Sequence, residues 1–301
     1  MMLDENKVHA MLQKVRSIEL RTRMLMNDSL AGSYHSIFKG QGVNFEEIRE
    51  YTPGDEIRFI DWNSSAKLGH PFVKIFKEER ELTLILAIDV SGSTLCGSVN
   101  QSKREFETEI ASLLAFSALK NNDRIGLFLF SDCIEKYIPP QKGRQQLLRI
   151  IREALFFKPQ HTRTDLNACL QGLGKMLKKK SIICFISDFI STSDISSLAK
   201  SMARINQHHD LICIKINDPR EKLIPDVGFI ALEDAENHTT TCINTHSEKL
   251  RKEFEIVQQK REKEFQDLCG HQGIDLLSLT NGQSYDNEIK SFFKKRQQLR
   301  I

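Results

Sequence analysis

A chain of 301 residues is long enough for one large domain or two modest ones, and 40% apolar residues suffice for a proper core. A formal net charge of +3 is nearly balanced and gives no case for nucleic acid or for an anionic membrane surface. No run of about 18 apolar residues exists, the N-terminus lacks an apolar signal core, and seven scattered cysteines form no CxxC pair, so a reduced, cytoplasmic setting without membrane insertion is expected.

Leu, Met, Arg and Lys at helical spacing predict an amphipathic helix over 4–30, ending near Gly32. From 33 to 80, aromatic and β-branched residues broken by Gly40, Gly42, Pro53-Gly54 and Gly69 predict short antiparallel strands. Thr52-Pro53-Gly54-Asp55 has Pro and Gly at the two central positions of a type II turn. Residues 1–80 are therefore expected to form a small helix plus β module, and 81–301 a second domain packed closely against it.

The second domain alternates short apolar runs with longer helical patterns. Strands are predicted at 82–90, 124–132, 181–189, 210–218 and 274–280, with a short edge strand at 135–140 closed by proline. Helices are predicted at 102–120, 142–156, 164–178, 194–207 and 246–269. This alternation implies a doubly wound, mostly parallel α/β sheet with helices on both faces. Segment 219–245 interrupts the rhythm, and its two β-rich stretches around Glu236-Asn237-His238 predict a hairpin inserted at the sheet's edge. Cys184 and Cys213 sit inside apolar runs and read as buried hydrophobes. The terminal SFFKKRQQLRI is basic and aromatic.

Asp89-Val90-Ser91-Gly92-Ser93 directly follows the first buried strand. In open α/β sheets, sites lie beyond the carboxyl ends of strands where strand order reverses. Asp188 ends another apolar run and should reach the same rim, and Thr164 is read as opening a helix from the loop before it. All these donors are oxygens, which suits a hard ion such as Mg²⁺ or Mn²⁺. The competing reading is that Ser91 and Ser93 cap the next helix and the aspartates satisfy turn backbone groups.

The pattern resembles the metal-ion-dependent adhesion site of von Willebrand factor A domains. There an Asp-x-Ser-x-Ser loop, a Thr and a further Asp surround one ion. The resemblance implies a metal site made by Asp89, Ser91, Ser93, Thr164 and Asp188, in which the aspartates act through water. The segments GQGVNFEEIREYTPGDEIRFIDWNSSAKLGHPFVKIFKEE (40–79), DRIGLFLFSD, ISDF and INDPREKLIPDVGFIALEDAE are similar to the domain of unknown function 58 family. This resemblance covers nearly the whole chain. It implies a von Willebrand factor A-like fold, and a partner that is a MoxR-type AAA+ ATPase or a protein it remodels, in complex assembly or metal-cofactor insertion.

Within 40–79, Arg49, Arg58, Asp55 and Asp61 lie near Trp62 and Phe45, which reads as a salt-bridged, aromatic-stapled β module. A sharper reading makes it a docking face anchored by Arg58 and Trp62. His208-His209 read as strand-entry residues, and no His/Cys set points to zinc.

Two other functions compete. A metal-dependent phosphohydrolase would use Asp89 as nucleophile with an acid two residues later, but that position is Ser91. GxSxG and GxxxxGK[ST] are absent. Nucleic-acid binding would use Lys178-Lys179-Lys180 and Lys294-Lys295-Arg296, but such runs usually belong to solvated helix ends. The expectation is a non-enzymatic, metal-dependent protein-binding module.

Overall fold

The computed structural model describes residues 15–18, 20, 44–77, 82–97, 101–190, 194–236 and 239–299. Of the helix expected over 4–30, only 15–18 and 20 fall within the described residues; they are helical, and Val15 and Ile18 pack against the core.

Strands β1 (Asn44–Glu50) and β2 (Phe72–Lys77) pair antiparallel as their own two-stranded sheet. Between them, Asp55 N–H donates to Thr52 O at 3.0 Å and Gly54 has φ +115°, as the Pro-Gly turn requires. Arg49 clamps this turn with two bonds of 2.8 Å to the Asp55 carboxylate, which holds that carboxyl well below its usual range. Asp61 caps α1 (Trp62–Leu68) by accepting from Asn63 N and Ser64 N. Trp62 does not staple the module: its side chain is 69% exposed, because α1 turns it to solvent. The side chain of Phe45 lies outside the described residues.

The second unit is a six-stranded sheet of β3 (Thr83–Asp89), β4 (Arg124–Phe130), β5 (Ile134–Gln141), β6 (Ile182–Ser187), β7 (Asp210–Asn217) and β10 (Asp275–Thr280). Their order is β10-β7-β6-β3-β4-β5, and only the β4–β5 pair is antiparallel. Residues of β3 alternate between two cores. Leu84, Leu86 and Ile88 meet α2 (Lys103–Lys120), α3 (Arg144–Phe156) and α8 (Asp286–Leu299). Ile85 and Ala87 meet α4 (Leu166–Met176), α5 (Ile195–His208) and α7 (Glu248–His271). A strand covered on both faces needs a continuous apolar run, which explains TLILAI. The chain runs outward from β3 through β4 to β5, then crosses to β6 on the other side. The reversal lies between β3 and β6, so the loops after these strands open the favoured crevice.

Three expectations need correction. The helix expected at 164–178 begins at Leu166, because Asp165 is its cap, accepting from Asn167 N and Ala168 N at 3.0 Å; Thr164 stays in the loop before it. The insert, β8 (Phe229–Glu233) paired with β9 (Thr240–Asn244), follows the short helix α6 (Pro219–Lys222) and is a separate sheet rather than an edge addition. In the basic run read as a solvated helix end, Lys294 and Lys295 are exposed on α8, but Arg296 is 2% exposed and paired with Asp210 and Asp275, so its charge lies inside the fold.

Leu86→Ala removes a fully buried side chain from the central strand and should cost about 2–5 kcal/mol. Leu232→Ala, on the exposed face of β8, should change stability by less than about 0.5 kcal/mol. Denaturant unfolding measures both; equal effects would contradict the assignment of the core.

Candidate functional site

Asp89 is the last residue of β3 and is fully buried. One carboxylate oxygen accepts from Ser91 N–H at 2.9 Å, the other from Ser187 Oγ–H at 2.8 Å. Burial first, and the charge of Asp188 second, push its pKa well above the usual carboxylate range. The serines do not cap the following helix: α2 is capped by Ser102 in a capping box with Glu105. Ser91 and Ser93 instead flank Gly92 in a tight turn, with their Oγ atoms 3.2 Å apart. Ser93 Oγ–H donates to Asp188 Oδ2 at 2.9 Å. The other Asp188 oxygen accepts from Ile190 N–H at 3.0 Å, and Phe189 between them adopts φ +55°, a conformation rare for a bulky residue. Its ring packs on Phe185 and Phe265, contacts that hold this turn against the core.

The sequence reading missed Lys103. Its ammonium is 1% exposed and donates to Asp188 Oδ2 at 2.7 Å and to Glu221 Oε1 at 2.5 Å. Burial lowers its pKa, but the charges of Asp188 and Glu221 outweigh that effect and raise it, so it stays protonated. Glu107, one turn further along α2, is fully buried and neither carboxylate oxygen has a hydrogen-bond partner. Burial, with Asp89 and Asp188 adding to it, raises its pKa well above the ordinary value.

Thr164 arrives on the loop before α4. This loop is pinned by Glu135, whose carboxylate accepts from Gln160 N, His161 N and Ser131 Oγ. Gly92 N–H donates to Thr162 O at 2.8 Å, tying this loop to the first. Thr164 does not bond to the serines or to Asp188. Its Oγ1–H donates to Glu236 Oε1 at 2.7 Å, on the tip of the β8–β9 hairpin. Asp132, Cys133 and His161 converge nearby, with ligand-type atoms within 4.8 Å of one another, a His/Cys grouping that sequence distance concealed.

Oxygens held at 2.0–2.1 Å in an octahedron lie about 2.9 Å apart along its edges. The Ser91–Ser93 and Ser93–Asp188 separations of 3.2 and 2.9 Å are close to that spacing. The donor set is all oxygen, and Asp89 accepts from the neutral donors Ser91 N–H and Ser187 Oγ–H. These residues fit a small hard cation. Lys103 opposes it by already occupying Asp188 Oδ2.

A family model described as a protein of unknown function, DUF58, matches residues 47–264. The chain belongs to this family. An uncharacterized protein of Mycobacterium tuberculosis is 26% identical over 296 residues, spanning 98% of this chain and 91% of that protein. Solved structures similar to it include the conserved hypothetical protein BatB from Bacteroides thetaiotaomicron, with TM-score 0.47 and 17% identity over 72% of this chain and 99% of that one. The SpRpn10 VWA domain is another, with TM-score 0.42 and 13% identity over 70% and 95% of the two chains. The DUF58 match contains Asp89, Ser91, Ser93, Thr164 and Asp188, and also Lys103, Glu107, Glu221 and Glu236. The α/β unit of this DUF58 chain is a doubly wound, mostly parallel sheet.

Glu107 gives a pH prediction. Its folded-state pKa is raised, so between the ordinary glutamate value of about 4.3 and the raised one the folded protein holds more protons than the unfolded chain. Stability contributed by this group therefore falls as pH rises through that window. Glu107→Gln mimics the neutral acid. In metal-free buffer its stability should vary less between pH 5 and 8 than that of the parent, and the difference should favour the variant most at pH 8. Unfolding curves at each pH check this; a variant losing stability faster than the parent with rising pH would contradict it.

Proposed function

We propose that this protein is a non-enzymatic protein-binding module whose contact with its partner runs through a divalent cation, Mg²⁺ or Mn²⁺, held by Asp89, Ser91, Ser93, Thr164 and Asp188. The observation that carries the reading is the octahedral-edge spacing of the Ser91, Ser93 and Asp188 oxygens at the point where strand order reverses. Ser91, Ser93 and Thr164 supply neutral hydroxyl oxygens. Asp89 and Asp188 supply charge while being held by Ser91 N–H, Ser187, Ser93 and Ile190 N–H. A bound cation would polarise its remaining water and accept a carboxylate from a partner in its place. The bond is charge-assisted and geometrically demanding, while the wider interface supplies most of the affinity.

A catalytic role finds little support in the side chains. Ser91 stands where a phosphohydrolase would carry its general acid, and Lys103 is locked between Asp188 and Glu221. The coarser reading, a protein-interaction module, is favoured by the von Willebrand factor A-like fold. The family resemblance adds a MoxR-type AAA+ ATPase, or a protein that it remodels, as the candidate partner. A second contact surface is available on the 44–77 unit. Ile57, Trp62 and Leu68 are 60–69% exposed there, and Arg58 lies beside Phe59. Their aromatic and cationic character suits an interface anchor.

Cation binding should stabilise the fold by about 2.7 kcal/mol at one hundred times the dissociation constant. That amounts to a rise of several degrees in Tm, at roughly 2–4 °C per kcal/mol. Asp89→Ala should abolish the shift. Capture of the ATPase candidate should weaken with EDTA, recover with Mg²⁺ and fail with Asp89→Ala. Unchanged melting with millimolar Mg²⁺ and Mn²⁺ counts against the site; capture indifferent to both chelation and Asp89→Ala counts against the bridge and shifts attention to Arg58 and Trp62.

A further inference from the structure

The β8–β9 hairpin has no part in the main sheet, yet its tip lies on the candidate site. Thr164 Oγ1–H donates to the Glu236 carboxylate at 2.7 Å, and Thr162 Oγ1–H donates to the Glu236 carbonyl at 3.1 Å. Gly92, inside the Asp-x-Ser-x-Ser loop, approaches Ala235 so closely that a Cβ at position 92 would lie 2.3 Å from the Ala235 carbonyl oxygen. Only glycine accepts that contact without displacing backbone, so the loop that carries Ser91 and Ser93 is shaped to seat the hairpin. Glu236 N–H donates to Asp234 Oδ1 at 2.8 Å, and Asp234 N–H to Thr239 O at 2.9 Å.

The arms of the hairpin face solvent. Most side chains of β8 and β9 are exposed, including Phe229 at 80%. Its root is firm: buried Thr245 accepts from Val227 N–H at 3.0 Å and donates through both N–H and Oγ1–H to Gly228 O. With a firm root and exposed arms, the hairpin reaches the site through the bonds of Thr162 and Thr164 to Glu236, the placement of a flap over it. Beside it runs a cleft lined by Ser93, Asp188, Lys215, Asp234, Glu236 and Arg261.

We propose that Glu236 is an internal acidic ligand of the site: it occupies, at the Thr164 side, the place of a partner's carboxylate, and an acidic partner binds by displacing the hairpin. The proposal rests on the metal-adhesion reading above and specifies its regulation. With the flap closed, the site's demand for a carboxylate is met in cis. With the flap withdrawn, the oxygens of Ser91, Ser93, Thr164 and Asp188 face an incoming aspartate or glutamate. The chemistry selects the partner class, a protein presenting one exposed carboxylate able to enter the cleft.

The experiment uses the full chain and Mn²⁺ as probe, comparing the parent with Glu236→Ala, Glu236→Gln and the site variant Asp89→Ala. Mn²⁺ affinity is read by electron paramagnetic resonance, and amide hydrogen exchange is followed across 229–244. Mn²⁺ should slow exchange in the hairpin several-fold in the parent and leave it unchanged in Glu236→Ala. Mn²⁺ affinity should fall about tenfold in both Glu236 variants, the magnitude typical of losing a supporting group at a metal site. Millimolar acetate should restore much of that affinity in Glu236→Ala and add little in the parent, because the parent already has its carboxylate. If the parent binds Mn²⁺, loses it in Asp89→Ala, and shows neither hairpin protection nor any dependence on Glu236, the internal ligand is wrong and the adhesion site stands. If the parent does not bind Mn²⁺, the adhesion reading falls and takes this proposal with it.

Discussion

Three buried carboxylates, Asp89, Glu107 and Asp188, share one corner of this fold with one buried ammonium, Lys103. Taking charges out of water costs several kcal/mol each, and the cost is recovered only where partners are close and well aligned. The corner recovers it unevenly. Asp188 is met by Lys103, Ser93 and Ile190 N–H. Asp89 receives two neutral donors, and neither Glu107 oxygen has a hydrogen-bond partner. Burial first, and the neighbouring carboxylates second, raise the pKa of Asp89 and of Glu107, against the opposing charges of Lys103 and Arg104 at Glu107.

The sheet explains why the corner lies there. Two strands buried on both faces, β3 and β6, end side by side at the point where strand order reverses, so their terminal residues open outward together. The loops are then coupled in series. Gly92 bonds to Thr162, Thr162 and Thr164 bond to Glu236, and Gly92 packs against Ala235. The hairpin is therefore part of the site's geometry even though it adds nothing to the central sheet.

Much of this was legible in the sequence, for physical reasons. Strands buried on both faces leave continuous apolar runs, and helices between them leave 3.6-residue periodicity, so β3, β6, β7 and the helices beside them could be placed closely. Asp89, Ser91, Ser93 and Asp188 are legible as neighbours because strand ends mark the rim of an open sheet, and hydrogen bonds link Ser91 to Asp89 and Ser93 to Ser91 and Asp188 there. Thr164 was placed at a helix start instead of in the loop before it, since Asp165 is an equally good cap on sequence grounds and the structure uses Asp165. Lys103 and Glu221 were missed because a lysine in SKREFE and a glutamate in DPRE read as ordinary helix-start residues; only tertiary folding, across 118 residues, brings them together. Glu236 was seen as a turn residue, and nothing local reports that its carboxylate meets Thr164, 72 positions earlier. The exposed Trp62 contradicts the reading of it as an aromatic staple and leaves the reading of it as a docking anchor open to test.

The central claim is that the oxygens of Ser91, Ser93 and Asp188 face a divalent cation. Anomalous diffraction from crystals grown with Mn²⁺ tests it most directly. The expected result is an anomalous peak within about 2.0–2.3 Å of the Ser91 and Ser93 hydroxyl oxygens and beside Asp188, absent from Asp89→Ala crystals. No peak there at saturating Mn²⁺, or a peak confined to the Asp132, Cys133 and His161 grouping, would contradict it.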